Sequence, residues 1–505
     1  MKLVRFLLLL SCLGLLSCSN APEDQNIAKE ASYRLGYHED GKLAGYFEHL
    51  RPPEVSDQFT GFHSLSSGDD ALLARIALIE SASQSLDLQY YIFSDDETSQ
   101  IITWRLYEAA QRGVRVRVLL DDMQHRDDSI MARLHAHPNI EIRLFNPHFA
   151  RTTRSLSFLM DFSRLNHRMH NKSLTADGVS SIVGGRNIGN EYFSFANSVE
   201  FGDFDLLLFG PVVAQTAVQF DTYWNSQHAL PIDALVDMPP TEATSSLTEL
   251  FAQEQLEAPF KDGKYDITQL ALFEQLKLGT LDMNWGEGEL WYDSPDKVET
   301  KASALAEKLA QRLKNAKHSV LLVSPYFVPT ESGTKALTDA AERGIKITIV
   351  TNSLASNDVF AVHGWYAKYR EALLKSGIEL WEMKSSAEIK RQWSLIGSTR
   401  SSLHAKVILV DERDVIVGSM NWDPRSAELN TEMAVVIEHA DYAKLALNQL
   451  RTGLSTGAFK VDLQNGAVIW RDMVTGDIHD NEPEASIWRR FGAWFSGILP
   501  IEGML

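Results

Sequence analysis

The chain contains an internal repeat, and this repeat restricts its possible folds more than any other feature. ALIESASQSLDLQYYIF (77–93) and LYEAAQRGVRVRVLLDD (106–122) return in pattern as LAQRLKNAKHSVLLVSPYFVP (309–329) and LTDAAERGIKITIVTNS (337–353). Each copy has helix-period segments that alternate with β-branched apolar runs, and a glycine stops one helix at the same point in both. The sequence therefore predicts an α/β fold of two tandem repeats, each a mixed β-sheet flanked by helices.

The repeats remain similar towards their C-terminal ends. NIEIRLFNP (139–147) corresponds to GIELWEMK (377–384), and the last strands are DFDLLLFG (203–210) and TEMAVVIE (431–438). The segment between the repeats is acidic and lacks a sustained period, so we interpret it as a linker with peripheral helices. The predicted division is 1–17 for a signal peptide, 18–60 for an N-terminal extension, 61–231 for the first domain, 232–300 for the linker, 301–465 for the second domain and 466–505 for a tail with an amphipathic helix.

The N-terminal residues predict export. Lys2 and Arg5 precede an apolar stretch, Phe6 to Leu16, that has signal-peptide length and is short for a membrane span. The sequence Leu-Leu-Ser-Cys that ends at Cys18 resembles a bacterial lipobox, in which the cysteine is lipidated. A plain secretory signal that is cleaved nearby is the alternative. With Ser19 after the cysteine, the resemblance implies a lipid anchor in the bacterial envelope, facing the periplasm, with the outer membrane favoured over the inner one.

Charge and cysteine content exclude some functions. The net charge is −19, and removal of residues 1–17 takes away Lys2 and Arg5 and no acid, which gives −19 − 2 = −21. Such a chain is not expected to bind nucleic acid in bulk, although a local basic pocket remains compatible with it. The cysteines are Cys12 and Cys18, so the mature chain can form neither a disulfide nor a cysteine metal site.

A short polar motif occurs once in each repeat. His170, Lys172 and Asp177 have the spacing H-x-K-x4-D, and His404, Lys406 and Asp411 repeat it. Asn187 and Asn421 each follow 17 residues after their histidine, behind a Gly-Gly or Gly-Ser pair. One such motif is a weak signal, but two copies inside matching repeats predict a shared site. The six motif residues are the candidate catalytic groups, and the two asparagines are candidate substrate-binding groups.

Strand geometry suggests different roles for the residues of each motif. Residues two apart share a strand face, so His170 and Lys172 should project together, as should the second pair. Asp177 lies an odd number of residues further on and begins an Asp-Gly turn dipeptide. The aspartates are therefore expected mainly to build the turn, and the strand after the turn should return Asn187 towards His170.

Paired histidines and lysines suit attack on phosphorus. A neutral imidazole is a nucleophile, and a second imidazolium can protonate the leaving oxygen. Lysines and asparagines can stabilise the charge of the phosphate oxygens. Each histidine needs a partner that fixes its tautomer, and Asp205 and Glu432 on the final strands are the candidates. No metal or other cofactor is expected.

The two H-x-K-x4-D motifs, each followed by G-[GS]-x-N, resemble the phospholipase D superfamily. The resemblance implies two repeats packed face to face as a pseudo-dimer, with both motifs in one metal-independent site. It implies a phosphohistidine intermediate with His170 as nucleophile and His404 as general acid and then base, although these roles could be reversed.

A narrower resemblance covers the chain from about residue 70 to its end. LDLQYYIFSDD, DFSRLNHRMHNKS, VGGRNIGNEYF and GSMNWDPRSAELNTEM are similar to the bacterial cardiolipin synthases of the C type. This implies transfer of a phosphatidyl group onto phosphatidylglycerol, with phosphatidylethanolamine as a possible donor. The lipobox departs from that pattern.

Two other functions compete with this one. The same fold could use water as the acceptor, as a phospholipase D or, less favoured, a nuclease; exclusion of water would decide between transfer and hydrolysis. The chain could also be a non-catalytic envelope lipoprotein, against which the intact histidines and lysines argue.

The C-terminal segment ASIWRRFGAWFSGILP (485–500) places aromatic and aliphatic residues at helical spacing. The pattern fits an interfacial membrane helix. It equally fits a helix packed on the second domain.

Overall fold

The first repeat alternates helices with strands. A computed structural model describes residues 27–193, 201–239, 247, 267–385 and 402–505, so the expected signal peptide and Cys18 lie outside the described residues. The elements of this half are α1 (Lys42–Leu50), β1 (Thr60–Leu65), α2 (Gly68–Ser81), β2 (Ser85–Tyr90), α3 (Glu97–Gln111), β3 (Arg115–Asp121), α4 (Asp128–His135), β4 (Ile140–Phe145), α5 (Arg154–Met160), α6 (Phe162–Leu165), β5 (Ser173–Ala176), β6 (Ser180–Gly184), β7 (Phe201–Gly202), β8 (Asp205–Phe209), α7 (Pro211–Trp224) and β9 (Ala229–Pro231).

The second repeat also alternates helices with strands. Its members are α8 (Ala271–Leu278), β10 (Asn284–Tyr292), α9 (Lys297–Thr300), α10 (Ala304–Lys314), β11 (Ser319–Val323), α11 (Thr330–Glu342), β12 (Lys346–Asn352), α12 (Phe360–Tyr366), α13 (Arg370–Lys375), β13 (Glu379–Met383), β14 (Ser402–Leu403), β15 (Val407–Val410), β16 (Asp414–Gly418), β17 (Met433–Glu438), α14 (Ala440–Gly457), β18 (Ala458–Gln464), β19 (Ala467–Asp472), β20 (Ile478–His479) and α15 (Ile487–Gly497). Among the described residues, none of the helices combines the length and apolarity needed to cross a bilayer.

One mixed sheet runs through both repeats. Its strand order is β9-β4-β3-β2-β5-β6-β8-β1-β10-β17-β16-β15-β11-β12-β13-β18-β19-β20. The order β4-β3-β2-β5-β6-β8-β1 is mirrored by β13-β12-β11-β15-β16-β17-β10, and the two halves join where β1 pairs antiparallel with β10. The predicted two-repeat α/β fold is confirmed, and the repeats are related by a pseudo-twofold axis at this junction.

Matching backbone turns explain why the repeats are recognisable in sequence. Helices α3 and α11 both end before a glycine in the left-handed region, Gly113 with φ 93° and Gly344 with φ 92°. Glycine occupies this conformation without the steric penalty that other residues have, so both helices stop there and lead into a parallel strand.

A shared apolar core joins the two repeats. It contains Phe62, Leu206 and Leu208 from the first half and Val417 and Val435 from the second, all almost completely buried. Because apolar surface of each half is removed from water by the other half, the repeats form one body.

Strand β10 lies within the segment that the sequence assigned to the linker. Its sequence, NWGEGELWY, has glycines and glutamates in the middle and no regular apolar alternation, so the sequence gives little sign of a strand, yet the strand is paired on both sides. The neighbouring β1 and β17 supply the hydrogen bonds that hold it, so tertiary pairing outweighs its weak local preference.

The C-terminal helix α15 has one face packed on the second domain and one apolar face that is exposed. Its small residues, Ala493, Ser496 and Gly497, are buried, and Gly364 of α12 lies directly against it. Its large apolar residues are exposed to solvent.

Candidate active site

The two motifs meet because each histidine segment bonds to the other repeat. The N–H of His170 donates to the carbonyl of Thr431 (2.9 Å), next to a parallel bridge between Met169 and Thr431. In the other repeat β14 pairs in parallel with β7, and the N–H of His404 donates to the carbonyl of Gly202 (2.7 Å). This reciprocal exchange brings both histidines into one buried site at the pseudo-twofold axis.

Each histidine is held by a carboxylate from the opposite repeat. Nδ1 of His170 lies 3.0 and 3.1 Å from the carboxylate oxygens of Glu432. Nδ1 of His404 lies 2.5 Å from Oδ2 of Asp203. Both carboxylates are fully buried. An acceptor at Nδ1 favours the tautomer whose lone pair is on Nε2, which leaves Nε2 of each ring for chemistry.

Glu432 is one of the two carboxylates that the sequence singled out, but the other choice, Asp205, was wrong. Asp205 lies 2.9 Å from Nη2 of Arg75 and also accepts from the backbone N–H and guanidinium of Arg186. These two buried arginines engage the Asp205 carboxylate inside the first repeat, whereas Asp203 reaches His404.

The strand register explains this shift of two residues. Gly184 pairs with Asp205, and its counterpart Gly418 pairs with Ala434. Asp205 therefore corresponds to Ala434, and Asp203 corresponds to Glu432. Alignment of Leu206–Leu208 with Val435–Ile437 gives the same correspondence.

The two lysines lie beside their histidines on the same strand face. Nζ of Lys172 donates to the carbonyl oxygen of His170 (2.6 Å). Nζ of Lys406 lies 3.0 Å from Nδ1 and 3.1 Å from Nε2 of His404. All four side chains are buried. The site thus places two cationic groups against two imidazoles in a region of low dielectric constant, where their charges act strongly.

Burial and neighbouring charge lower the pKa of both imidazoles. The pKa of His170 is well below its usual value because of burial first, and then because of the charges of Lys172, Lys406 and His404. Burial also lowers the pKa of His404. Burial lowers the pKa of Lys406 to about 8 and that of Lys172 well below its usual value.

The two carboxylates differ in their electrostatics. Burial raises the pKa of Glu432 to about 7, although Lys172 and the hydroxyl of Ser419 oppose this effect. Burial alone would raise the pKa of Asp203 too, but the charge and hydrogen bond of His404 and the charge of Lys406 hold that pKa below its usual range. The carboxylate beside His404 therefore carries more negative charge near neutral pH than the carboxylate beside His170.

The aspartates of both motifs are structural. Asp177 and Asp411 begin tight turns with φ 54° and 55°. The carboxylate of Asp177 accepts the backbone N–H groups of Ser83, Gln84 and Ser85, and that of Asp411 accepts those of residues 317–319. Both aspartates fasten the hairpin to the start of the neighbouring antiparallel strand, β2 or β11, as expected from the turn pattern. Their place among the candidate catalytic groups is corrected accordingly.

The asparagines also lie close to the motifs, with different partners. Oδ1 of Asn187 accepts from the N–H of Ile92 (3.1 Å), and Nδ2 donates to the hydroxyl of Tyr192 (2.9 Å). Within the described residues, the buried Oδ1 of Asn421 has no hydrogen-bond partner. Asn187 thus orders the loop around the site, whereas Oδ1 of Asn421 is available as a hydrogen-bond acceptor.

Sequence reasoning missed three neighbours of the histidines. The ring of Tyr91 meets His170 edge-on with centroids 4.9 Å apart, and Tyr192 meets His404 in the same way at 5.3 Å. The hydroxyl of Ser419 donates to Glu432. Only Ser419 carried a usable signal, because it occupies the Gly-Ser pair before Asn421.

A second cluster of potential metal ligands lies outside this site. Ligand atoms of His363, Glu382 and Glu482 lie within 4.8 Å of one another. The guanidinium of Arg370 forms ion pairs with both carboxylates, at 2.9 and 2.7 Å, and contacts His363. The arginine already supplies the positive charge, so we interpret this cluster as an ion-pair network.

With this geometry established, the comparisons define the class of protein. The family model described as "Cardiolipin synthase, PLD-like domain" matches residues 76–224 and 309–452, one match in each repeat. The chain belongs to this phospholipase D-like family, and it is an enzyme of that superfamily, of the phosphatidyltransferase kind.

Particular relatives sharpen this assignment. The chain is 39% identical over 455 residues to cardiolipin synthase C of Escherichia coli (strain K12), which covers 88% of this chain and 96% of that protein. It is 33% identical over 443 residues to an uncharacterized protein of Helicobacter pylori, with 86% and 88% covered. The crystal structure of phosphatidylserine synthase from Haemophilus influenzae Rd KW20 superposes with a TM-score of 0.58 over 92% of this chain and 100% of that one. At 13% identity, that likeness concerns the fold alone.

Proposed function

We propose that the enzyme transfers a phosphatidyl group from a phospholipid donor to phosphatidylglycerol and so forms cardiolipin. The observation that carries the proposal is the pair of buried histidines, each with Nδ1 held by a carboxylate of the opposite repeat. The similarity to a cardiolipin synthase over most of both chains supports the substrate class. Phosphatidylethanolamine is a candidate donor.

In the proposed first step His170 is the nucleophile. Its Nε2 attacks the donor phosphorus, the bond from phosphorus to the head-group oxygen breaks, and His404 gives its proton to that oxygen. The products are a phosphatidyl-histidine and the free head-group alcohol. In the second step His404 takes the proton of the glycerol hydroxyl of phosphatidylglycerol, whose oxygen attacks phosphorus and releases His170.

The electrostatics favour this division of roles. The lowered pKa of Asp203 supports an ionised carboxylate that stabilises an imidazolium at His404. The raised pKa of Glu432 supports a less charged partner and a neutral His170. The ammonium groups of Lys172 and Lys406 stabilise the phosphate oxygens in the transition state, so the proposed reaction needs no metal ion.

Incubation of purified enzyme with labelled phosphatidylglycerol, with and without phosphatidylethanolamine, tests the proposal. We expect labelled cardiolipin, with release of ethanolamine if phosphatidylethanolamine is the donor. Phosphatidic acid without cardiolipin would replace the proposal with the hydrolase, a phospholipase D. Acid-labile label on the wild type that is absent from His170→Ala, but present on His404→Ala, would identify the nucleophile.

We also propose that a lipid on Cys18 anchors the enzyme in the bacterial envelope, facing the periplasm and favouring the outer membrane. The Leu-Leu-Ser-Cys sequence supports this. Metabolic labelling with a fatty acid should mark the wild type and leave Cys18→Ala unlabelled. Label that is retained by Cys18→Ala, or recovery of the wild type in the cytoplasm, contradicts the anchor.

A further inference from the structure

Helix α15 exposes its apolar face to solvent. Trp488 has 82% of its surface exposed, and the helical positions that follow it on the same face are also exposed. Together with Trp488 these positions form the aromatic face of α15: Ile487, Trp488, Phe491, Trp494, Phe495 and Ile498. A helix on a soluble surface normally buries such a stripe, so this face is built to meet something other than water.

The opposite face of α15 fixes the helix in this orientation. Its small residues pack against α12, where the carbonyl of Ala493 lies against Gly364. Nε of Arg489 donates to the carbonyl of Leu354 (3.0 Å), and its guanidinium also bonds the carbonyl of Asn357. The helix cannot turn its aromatic face inwards without breaking these contacts.

A second apolar patch comes from the first repeat. Helices α5 and α6 and the loop before them expose Phe149, Leu156, Leu159, Met160 and Phe162, and Leu159 has 75% of its surface exposed. The patch is anchored from behind by Arg151, which bonds Asp122 and Asp128.

Arg425 connects the two patches beside the active site. It begins a π-helical turn, a distortion that is common at functional sites. Its guanidinium donates to the carbonyl and Oδ1 of Asn166 (3.2 and 2.8 Å), directly after α6. Its backbone N–H and Nε donate to the carbonyls of Leu505 and Met504 (2.7 and 3.0 Å), in the tail after α15.

Both patches lie close to catalytic groups. The charge of Arg425 acts on the pKa of Tyr91, whose ring packs on His170. The loop that Arg489 holds continues into Asp358, whose charge acts on the pKa of Lys406. Arg425 and Asp358 therefore link the two patches to residues that contact the two histidines.

The local charge matches an anionic partner. Residues 485–500 contain Arg489 and Arg490 and no acid, and residues 149–165 contain three arginines and one acid, Asp161. Within a chain whose net charge is −19 these two segments are basic in sequence, although the three arginines of residues 149–165 form ion pairs with Asp122, Asp128 and Asp161. Exposed tryptophans beside arginines are typical of surfaces that enter the head-group region of a bilayer.

We propose that the aromatic face of α15 and the patch on α5–α6 form one surface that enters an anionic lipid bilayer and places the active site over it. This deepens the proposed function and rests on it, because a phosphatidyltransferase must take both substrates from a membrane. This surface would differ in its role from an N-terminal lipid anchor. The anchor tethers the chain to a membrane, whereas the surface orients the active site towards the bilayer.

Site-specific fluorescence tests this surface. In the full chain with Cys12→Ser and Cys18→Ser, an NBD fluorophore is attached at Trp488→Cys, at Leu159→Cys and, as matched control, at Leu445→Cys, an exposed residue of α14 outside both patches. With vesicles of equal parts phosphatidylglycerol and phosphatidylcholine, we expect a blue shift and about a twofold gain in emission at 488 and 159 and none at 445. No response at 488 and 159, or an equal response at 445, overturns the proposal.

An activity measurement separates this surface from the reaction itself. The double variant Trp488→Ser/Trp494→Ser should lose about tenfold of its cardiolipin formation on vesicles and stay within about twofold of wild type on detergent-dispersed lipid. Leu445→Ser should match wild type on both. An equal loss on both substrates overturns the surface. If the wild type enters vesicles but forms no cardiolipin on vesicles or in detergent, the proposed reaction is refuted and the proposed membrane surface is still supported.

Discussion

At the scale of single residues, the site consists of two pairs that look alike in sequence but differ in charge. Glu432 and Asp203 both meet Nδ1 of a histidine, yet their pKa values shift in opposite directions. Ser419, which donates to Glu432, has Gly185 as its counterpart in the first repeat, so the two pairs also differ in hydrogen bonding. This asymmetry supports the proposed reaction, in which one imidazole is the nucleophile and the other carries the proton.

Removal of the negative charge at Asp203 should impair catalysis more than folding. Asp203→Asn keeps the shape but offers His404 no ionised partner, so we expect kcat to fall by about a hundredfold or more. The matched control is Asp233→Asn, a largely exposed carboxylate on the surface of the same repeat. Steady-state rates and thermal unfolding are measured together. A loss of kcat that follows loss of folded protein would contradict the orienting role.

The pH dependence should identify the lysine that acts as a cation. The pKa of Lys406 is lowered to about 8 by burial, so kcat/KM should fall as pH rises above about 8 and the ammonium group loses its proton. On the acid side, kcat/KM should rise as His170 becomes neutral, at a pH well below 6.5, because the pKa of His170 is lowered.

Lys406→Arg tests this assignment, because a guanidinium stays charged throughout that range. The part of the alkaline decline that Lys406 causes should disappear, which leaves only a decline caused by Lys172, whose pKa burial also lowers. We expect kcat to drop by about tenfold because the fork-shaped group fits the site less well. Lys172→Arg is the comparison and should keep the decline near pH 8. An unchanged decline in Lys406→Arg would assign it to another group.

At the scale of elements, each hairpin that carries a histidine is fastened by one carboxylate. Asp177 and Asp411 occupy left-handed turn positions and accept N–H groups from the segment before β2 or β11. The bonds set the position of each hairpin against its antiparallel neighbour, β2 or β11. Since Lys172 and Lys406 lie directly before the first strands of those hairpins, the turns help to position the candidate catalytic groups from a distance.

Loss of this fastening should cost stability. Asp177→Ala leaves backbone N–H groups unsatisfied in a fully buried place, so we expect the free energy of unfolding to drop by about 3 kcal/mol. Asp411→Ala, at a partly exposed turn, should cost less. Denaturant unfolding measures both changes, and His404→Ala serves as control, with little loss of stability but loss of turnover. A catalytic role for the aspartates would give the opposite pattern.

The sequence predicts the elements that depend on local pattern. The helix–glycine–strand units around Gly113 and Gly344 follow from periodicity and backbone conformation, and so do the turns at the two aspartates. It does not predict the pairing of β7 with β14, because each is two residues long and they lie about two hundred residues apart. Asp203 was missed for the same reason, since it reaches His404 only through that non-local pairing.

At the scale of the whole molecule, neither repeat contains a complete site. The first repeat supplies His170 and Asp203, and the second supplies His404 and Glu432, so each histidine depends on the other half for its orientation. The shared core and the pairing of β1 with β10 hold the halves in this arrangement. The internal repeat therefore assembles the candidate site as well as the fold.

This exchange predicts complementation between fragments. A chain divided between residues 250 and 265, within the segment that separates the repeats, should yield two fragments that are inactive alone and regain cardiolipin formation when co-expressed. Reassembly is expected because the core formed by β6, β8, β16 and β17 buries apolar surface of both halves.

Variants of the fragments show whether the exchange of carboxylates is the cause. A first fragment that carries Asp203→Asn should co-purify with the second fragment but restore less than about one hundredth of the activity, because His404 in the partner then lacks its carboxylate. The same fragment with Asp233→Asn should restore activity fully. If either wild-type fragment alone formed product, its histidine would be oriented without the opposite repeat, and the reciprocal arrangement would not be what makes the site work.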